Sequence, residues 1–398
     1  MRTNREKIKE KGVEFVPNGH RLSVAAKYRR THKLCLAGVL LCFFCLLAAM
    51  FGSFFSLAPR EVITASADAA SDWNSAVAAA TEAAPKTVTL SADWNATANN
   101  ANGFGTNTTY YKNGALYVPA GKSIILDLNG HALNRNLSST LANGYAIYVE
   151  GTLTIRDSSA GKTGTIKGGF TNTSNTTGGI YVASGSVRME GGTLTGNKSS
   201  TTYCGNAVYL YGANSTFTLA GGNIKSNPVS GTRNYTAGAA YLYGANSSFV
   251  LESGTISGNT GAGTWATGVA FLNGSGSSFI VKGGTISGNS ATGATSAGVV
   301  TLNAANTRFN VQGGTISGNS SNNGAGVAYV NNTSGGFVMS NGSVTGNTGT
   351  LAGAVYLAGA NSTFSMSGGS ITSNTGTTGG ALYMGGSSNT ATLTGGVI

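Results

Sequence analysis

The residues whose types could do chemistry are few in this chain. Glu190 and Glu252 each stand just before a glycine-rich heptad, two repeats apart, and after Asp157 they are the only carboxylates. Paired carboxylates act as acid and base on glycosidic bonds, whereas lyases of acidic polysaccharides hold calcium on Asp/Glu and use a basic residue as base. Two repeats correspond to roughly 10 Å if both glutamates faced one groove, the wide edge for an inverting pair. Convergence in one groove beside an arginine would favour catalysis; otherwise the two read as solubilising surface residues. Asp127, Asn129 and His131 alternate outward in a DLNGH stretch, which reads as a polar run into an Asn-Gly turn. The chain has three histidines, two of them within the first 33 residues, so neither a triad nor a metal cluster is expected. Cys204, the only cysteine of the body, reads as a small buried residue. No catalytic residue, cofactor or metal is implied, and the expectation is a non-enzyme.

Binding chemistry is better represented, because it comes in columns. Tyr148, Tyr181, Tyr209, Tyr241, Phe271, Tyr329, Tyr356 and Tyr383 share one repeat position, interrupted only by Thr301. They lie between apolar neighbours, so on a strand they point away from the core and should stack into an aromatic stripe. Such a stripe offers rigid amphipathic area to sugar rings or a partner surface, or simply stabilises the strands; loops could also cover it. Asn197, Asn227, Asn259, Asn289, Asn319, Asn347 and Asn374 occupy a second position just after a strand. Asparagine tolerates left-handed backbone and its amide bonds along a stack, so a structural asparagine ladder at a corner is expected. A third column pairs hydroxyls, as in Thr255/Ser257, Thr285/Ser287 and Thr315/Ser317. It resembles the arrays of ice-binding solenoids, although Lys167 and Lys225 interrupt it and threonine is an ordinary strand former.

These columns exist because the chain repeats. The heptad GGTLTGN at 191–197 recurs as GGNIKSN, SGTISGN, GGTISGN twice, NGSVTGN and GGSITSN, and the sequence stops inside another copy at Gly395. Starting positions advance by 30, 32, 30, 30, 28, 27 and 27 residues. A drifting period with constant elements marks solenoid coils with variable loops. Each coil carries three short strand-like segments: one like Ala207–Leu210, one with a Phe and an aliphatic two apart, such as Phe217 and Leu219, and one with a single aliphatic between hydroxyls. Alternation turns five apolar side chains per coil inward, and stacked coils bury them together. The fold expected is all-β, a right-handed parallel β-helix with three strands per coil of about 27–32 residues; the hand follows from the rule for parallel crossovers. Trp73, Val77 and the alanines to Ala84 suit a short amphipathic helix that caps the core.

GGTISGN followed by a GGA element, here Gly379-Gly-Ala-Leu-Tyr383, resembles bacterial surface proteins of the pectin-lyase-like β-helix superfamily. It is similar too to the GGA(I/L/V) and FxxN repeats of polymorphic outer-membrane proteins, which are autotransported adhesins. The resemblance runs from about residue 110 to the end and implies the fold and a surface role. The C-terminal membrane barrel of autotransporters and an LPxTG-type sorting signal are not found in the sequence, so a fragment of a longer protein is one reading.

Charge divides the chain. Residues 1–33 carry ten Lys/Arg against three Glu, and residues 68–398 thirteen Lys/Arg against nine Asp/Glu. The net charge of +11 therefore sits mostly in the leader, and nucleic-acid binding is not expected. Residues 34–58 run without a charge behind Lys27, Arg29, Arg30 and Lys33, and Ala65-Ser66-Ala67 follows. This reads as an export signal cleaved after Ala67, or as a retained membrane anchor with the body outside. The chain thus divides into a basic cytoplasmic region 1–33, a signal or anchor 34–67, a cap with irregular first coils 68–143, and repetitive coils 144–398. The function expected is an exported bacterial cell-surface or extracellular scaffold, adhesin-like, that presents a repetitive surface to a glycan or a host or cell-surface protein. The alternatives are a carbohydrate-active β-helix without its catalytic part and, less directly, an ice-binding-like solenoid.

Overall fold

The strand segments, glycine turns and apolar columns of the repeat close into a parallel β-solenoid in a computed structural model. It describes residues 68–398 together with the backbone of Val62–Thr64. The signal or anchor expected at 34–58, its basic flank and the Ala65–Ala67 site lie outside the described residues. Among the described residues no helix is long and apolar enough to cross a membrane.

Each coil visits three sheets in turn. In one coil Val208–Leu210 lies in an 11-stranded sheet, Thr216–Leu219 in a 12-stranded sheet and Asn223–Lys225 in a 10-stranded sheet. Equivalent residues of successive coils pair in parallel without slip, for example Phe217 with Phe249 and Phe249 with Phe279. The register is fixed because a one-residue shift would turn every inward side chain outward. Val208, Leu210, Phe217, Leu219 and Ile224 are all buried, so the five-per-coil core forms as the alternation predicts. Each such side chain contributes about 1.5–3 kcal/mol by leaving water, against the entropy of ordering its coil. At the N-terminal end the helix Ala69–Ala79 starts on Asp68, whose carboxylate accepts from the Ser71 amide. It buries Trp73, Ala76 and Val77 over the first rung of the core.

The coil differs from expectation in its connection between the third sheet and the first. Instead of a free loop, the structure has further narrow ladders: a two-stranded one of Phe170–Thr171 and Lys198–Ser199, and two of four strands. One is built from Thr260–Gly261, Ser290–Ala291, Ser320–Ser321 and Thr348–Gly349, the other from Cys204–Gly205, Thr236–Ala237, Trp265–Thr267 and Thr295–Ala297. Strands of two or three residues carry almost no alternation, so their sequences read as turns. The second ladder lies over the outer face of the first sheet, and that position decides the fate of the aromatic column.

One glycine column explains the GGA-like element. A Cβ on Gly268, Gly298 or Gly326 would stand 2.2 Å from the backbone oxygen of the next coil's glycine. Only hydrogen fits at these three positions, where the coil leaves the second ladder, the roof, and re-enters the first sheet; one coil before Gly238 the equivalent place is held by Asn206.

Candidate functional site

The asparagine column forms the inner corner that the spacing predicts. The Asn259 side chain donates to the carbonyl oxygens of Ile224 at 2.9 Å and Ser257 at 3.2 Å. Its backbone N–H and its Nδ2 both donate to Asn289 Oδ1 at 3.0 Å, and Asn289 does the same to Asn319. The chain of amides runs from Asn197 through Asn227, Asn259, Asn289, Asn319 and Asn347 to Asn374, buried at all but its last member. Its start is Gly169, whose N–H donates to Asn197 Oδ1. One part of the expectation is corrected. The left-handed residue of this corner is the one before the asparagine, with φ between +60° and +65° at Gly196, Gly258, Gly288, Gly318 and Gly346, and +53° at Ser226 and +56° at Ser373. The turn needs the positive φ one step earlier so that the amide itself can point into the stack.

The aromatic column stacks, but much of it is not a surface. Tyr181–Tyr209, Tyr209–Tyr241 and Tyr241–Phe271 are parallel pairs with ring centroids 5.6, 5.3 and 5.2 Å apart. Tyr209, Tyr241 and Phe271 are fully buried and Tyr181 and Tyr329 nearly so, because Ala237 and its neighbours in the roof ladder pack on them. Tyr148, Tyr356 and Tyr383 are only partly covered. The expectation of a binding stripe is therefore corrected for its central members: they face away from the main core into a second, thinner one. Burial holds the Tyr181, Tyr209 and Tyr241 hydroxyls protonated well above the ordinary phenol value. Tyr209 donates to Asn175 Oδ1 at 3.3 Å, whereas the buried Tyr241 hydroxyl has no partner. The column also starts one coil earlier than the repeat suggested, at Tyr117, which pairs with Tyr148 and donates to Glu150 Oε2.

Thr301, the one gap in the column, is buried, and its hydroxyl accepts from Thr267 at 2.7 Å. Trp265 on the roof ladder joins both aromatic clusters and meets Tyr329 edge-on at 6.2 Å, beyond the gap.

Glu190 and Glu252 do meet an arginine. Arg188 donates to Glu190 Oε1 at 3.1 Å and to Glu252 Oε2 at 2.9 Å, while Lys282 reaches Glu252 Oε1 at 3.4 Å. All four are partly exposed, on or just after interior strands of the 12-stranded sheet. Hydrogen bonding from Arg188 holds the Glu252 carboxyl below the usual carboxylate range, so it stays ionised at neutral pH. An ionised, charge-paired carboxylate is a poor proton donor. At the DLNGH stretch, Asp127 is buried and paired with Arg156 at 2.9 Å, and Asn129 and Gly130 take φ of +46° and +85° in the turn. His131 stands 3.6 Å from Asp93. Cys204 is buried, and burial pushes its thiol up to about 12. Among the described residues no group of three His, Cys, Asp or Glu could hold a metal.

Two surface features remain. The hydroxyl column keeps strict register from Thr255/Ser257 to Ser370/Thr372, half-buried throughout. Tyr203, Tyr211 and Tyr243 are 37, 46 and 42% exposed; the remaining exposed large hydrophobics, from Met384 to Ile398, lie in the last coil. None of these three was singled out in the sequence, because they fall one residue outside the strands. The signal was the doubled Tyr-x-Tyr of Tyr209–Tyr211 and Tyr241–Tyr243. Comparison with known protein families, curated proteins and solved structures finds no match to the chain.

Proposed function

We propose that the chain is an exported, non-catalytic surface module: a right-handed parallel β-helix of the pectin-lyase-like, adhesin-like kind that holds a repetitive outer surface toward a glycan or a cell-surface partner. One observation carries this reading. The side chains that could do chemistry are spent between coils: the asparagines on the corner ladder, the central tyrosines on the roof, and both glutamates of the repeats on Arg188. Side chains committed to their neighbours make a stiff, regular rod. A hydrolase would instead need one carboxyl free to hold and deliver a proton.

The test pairs binding with turnover. Full-length chain is screened on a panel of glycans and matrix proteins, and in parallel incubated with neutral and acidic polysaccharides while new reducing ends are counted. The expected result is retention by some members of the panel and no cleavage. Cleavage that disappears in Glu252→Gln would overturn the reading in favour of a carbohydrate-active enzyme.

A further inference from the structure

The roof removes most of the aromatic column from solvent, but a second column stands just outside it. It consists of the residue that follows the first-sheet strand in five successive coils, Tyr211, Tyr243, Asn273, Asn303 and Asn331, with Ala183 before them and Ala358 after. Each backbone N–H donates to the last carbonyl of the strand one coil back, at 2.8–2.9 Å, so the five positions are fixed on one line along the solenoid. At one coil per ~4.8 Å the line is about 19 Å long. Tyr211 and Tyr243 stack at 5.4 Å with planes 4° apart, and Asn303 donates to Asn273 and Asn331 to Asn303 at 2.8 and 2.9 Å.

Stacking decides what such a column can hold. The facing sides of Tyr211 and Tyr243 are taken up by each other, and Tyr181 lies 5.7 Å from Tyr211 on the other side. The face of Tyr243 toward the next coil is different, because an asparagine, not a ring, follows there. A ring face ends the aromatic run, and three amides continue along the same line with donor and acceptor capacity left over. These five residues carry no charge; Glu150, at the same position two coils before Tyr211, accepts from the Tyr117 hydroxyl, and both carboxylates beyond residue 157 are bound to Arg188. A polyanion or a basic peptide finds no complementary charge on this line, whereas an uncharged chain with apolar ring faces and many hydroxyls matches it.

We infer that Tyr211, Tyr243, Asn273, Asn303 and Asn331 form a binding line for an uncharged, linear polysaccharide, with one sugar ring seated on the Tyr243 face and its successors hydrogen-bonded to the amides. This rests on the surface-module reading and assigns it a place and a ligand class. Because the line is held by backbone bonds and ring stacking, little side-chain freedom is lost on binding.

The experiment is affinity electrophoresis of the full chain in gels that contain neutral β-glucan, mannan or xylan, with pectate and hyaluronan as acidic counterparts and immobilised matrix proteins as a second panel. The wild type is expected to be retarded by at least one neutral polymer. Tyr243→Ala should weaken that binding about tenfold, the size of a hot-spot truncation. Tyr243→Phe, which keeps the ring, should stay within about threefold of wild type. The Tyr243 side chain is exposed, so circular dichroism of both variants should match wild type. Retention on a neutral polymer that Tyr243→Ala leaves unchanged overturns the binding line but not the module reading. So does binding confined to acidic polymers or to protein. Equal losses in Tyr243→Phe and Tyr243→Ala overturn the seat on the ring face. A folded wild type that binds nothing in either panel overturns both readings.

Discussion

The asparagine ladder and the aromatic ladder run the length of the same coils, yet one is unbroken and the other is not. Seven asparagines follow each other without a substitution, while the ring column admits Thr301 and is mended from the side by Trp265. The difference follows from the forces involved. Each amide satisfies buried backbone groups of two coils through directional bonds, and no other side chain of that size offers both the donors and the acceptor. Ring packing is non-directional, so any side chain that fills the volume serves, whichever element supplies it. Variation in coil length, from 27 to 32 residues, is correspondingly absorbed in the roof and turns and never at the corner.

The most severe way to break the amide side of this comparison is Asn289→Ala. It strands the buried N–H of Asn259 and the carbonyls of Ile256 and Ser287. Buried unsatisfied groups cost about 1–3 kcal/mol each, so a loss of about 3 kcal/mol or more is expected in urea unfolding. Asn374→Ala, at the part-buried end of the ladder, should cost less than half as much. Equal costs at the two positions would mean that the ladder does not act as a chain of bonds.

On the ring side, Trp265→Ala removes the group that covers the gap at Thr301. Trp265 is only partly buried, so the expected cost is about 2 kcal/mol rather than the full value for a core tryptophan. Refilling tests the idea further. Thr301→Val in the Trp265→Ala background should recover little, because the lost volume belonged to the roof and not to the strand. Full recovery by Thr301→Val would place the packing defect in the first sheet instead.

How much of this was legible in the sequence also divides along the two ladders. The register, the inward fives such as Phe217 and Ile224, and the Asn column were readable because a fixed period and strict alternation leave one solution. The roof was not, because Cys204–Gly205 and Thr236–Ala237 are too short to alternate and owe their strand geometry to the coil beneath. Without the roof, the sequence could place Tyr209 and Tyr241 on the outer face of a strand but could not tell covered rings from exposed ones. Tyr211 and Tyr243 escaped notice for the same reason, since a residue just past a strand end has no face assigned by alternation. The junction of Glu190 and Glu252 at Arg188 entered the sequence reading only as a condition for catalysis, because whether the two meet depends on side-chain reach across two coils.

The smallest effect is the most discriminating, because it separates packing from hydrogen bonding inside the ring ladder itself. Tyr209 and Tyr241 are equally buried and stack 5.3 Å apart, but only the Tyr209 hydroxyl has a partner, Asn175. Tyr241→Phe removes a desolvated hydroxyl that bonds to nothing, so at neutral pH it should leave stability unchanged or raise it by up to about 1 kcal/mol. Tyr209→Phe loses a long hydrogen bond and frees the Asn175 side chain, for a loss of about 0.5–1 kcal/mol. At high pH both variants should gain equally on wild type, so the difference between them persists. Burial raises the folded-state pKa of both phenols, while in the unfolded chain they ionise near the ordinary value of about 10. Above pH 10 the unfolded state therefore binds fewer protons than the folded state, and stability falls as pH rises. Each covered tyrosine takes away about 1 kcal/mol between pH 10 and 11, and a phenylalanine at either position gives that amount back. Unfolding curves at pH 8 and pH 11 for the two variants measure both terms. An alkaline loss of stability that neither variant reduces would mean that solvent reaches these rings and that the roof is not a lid on the ladder.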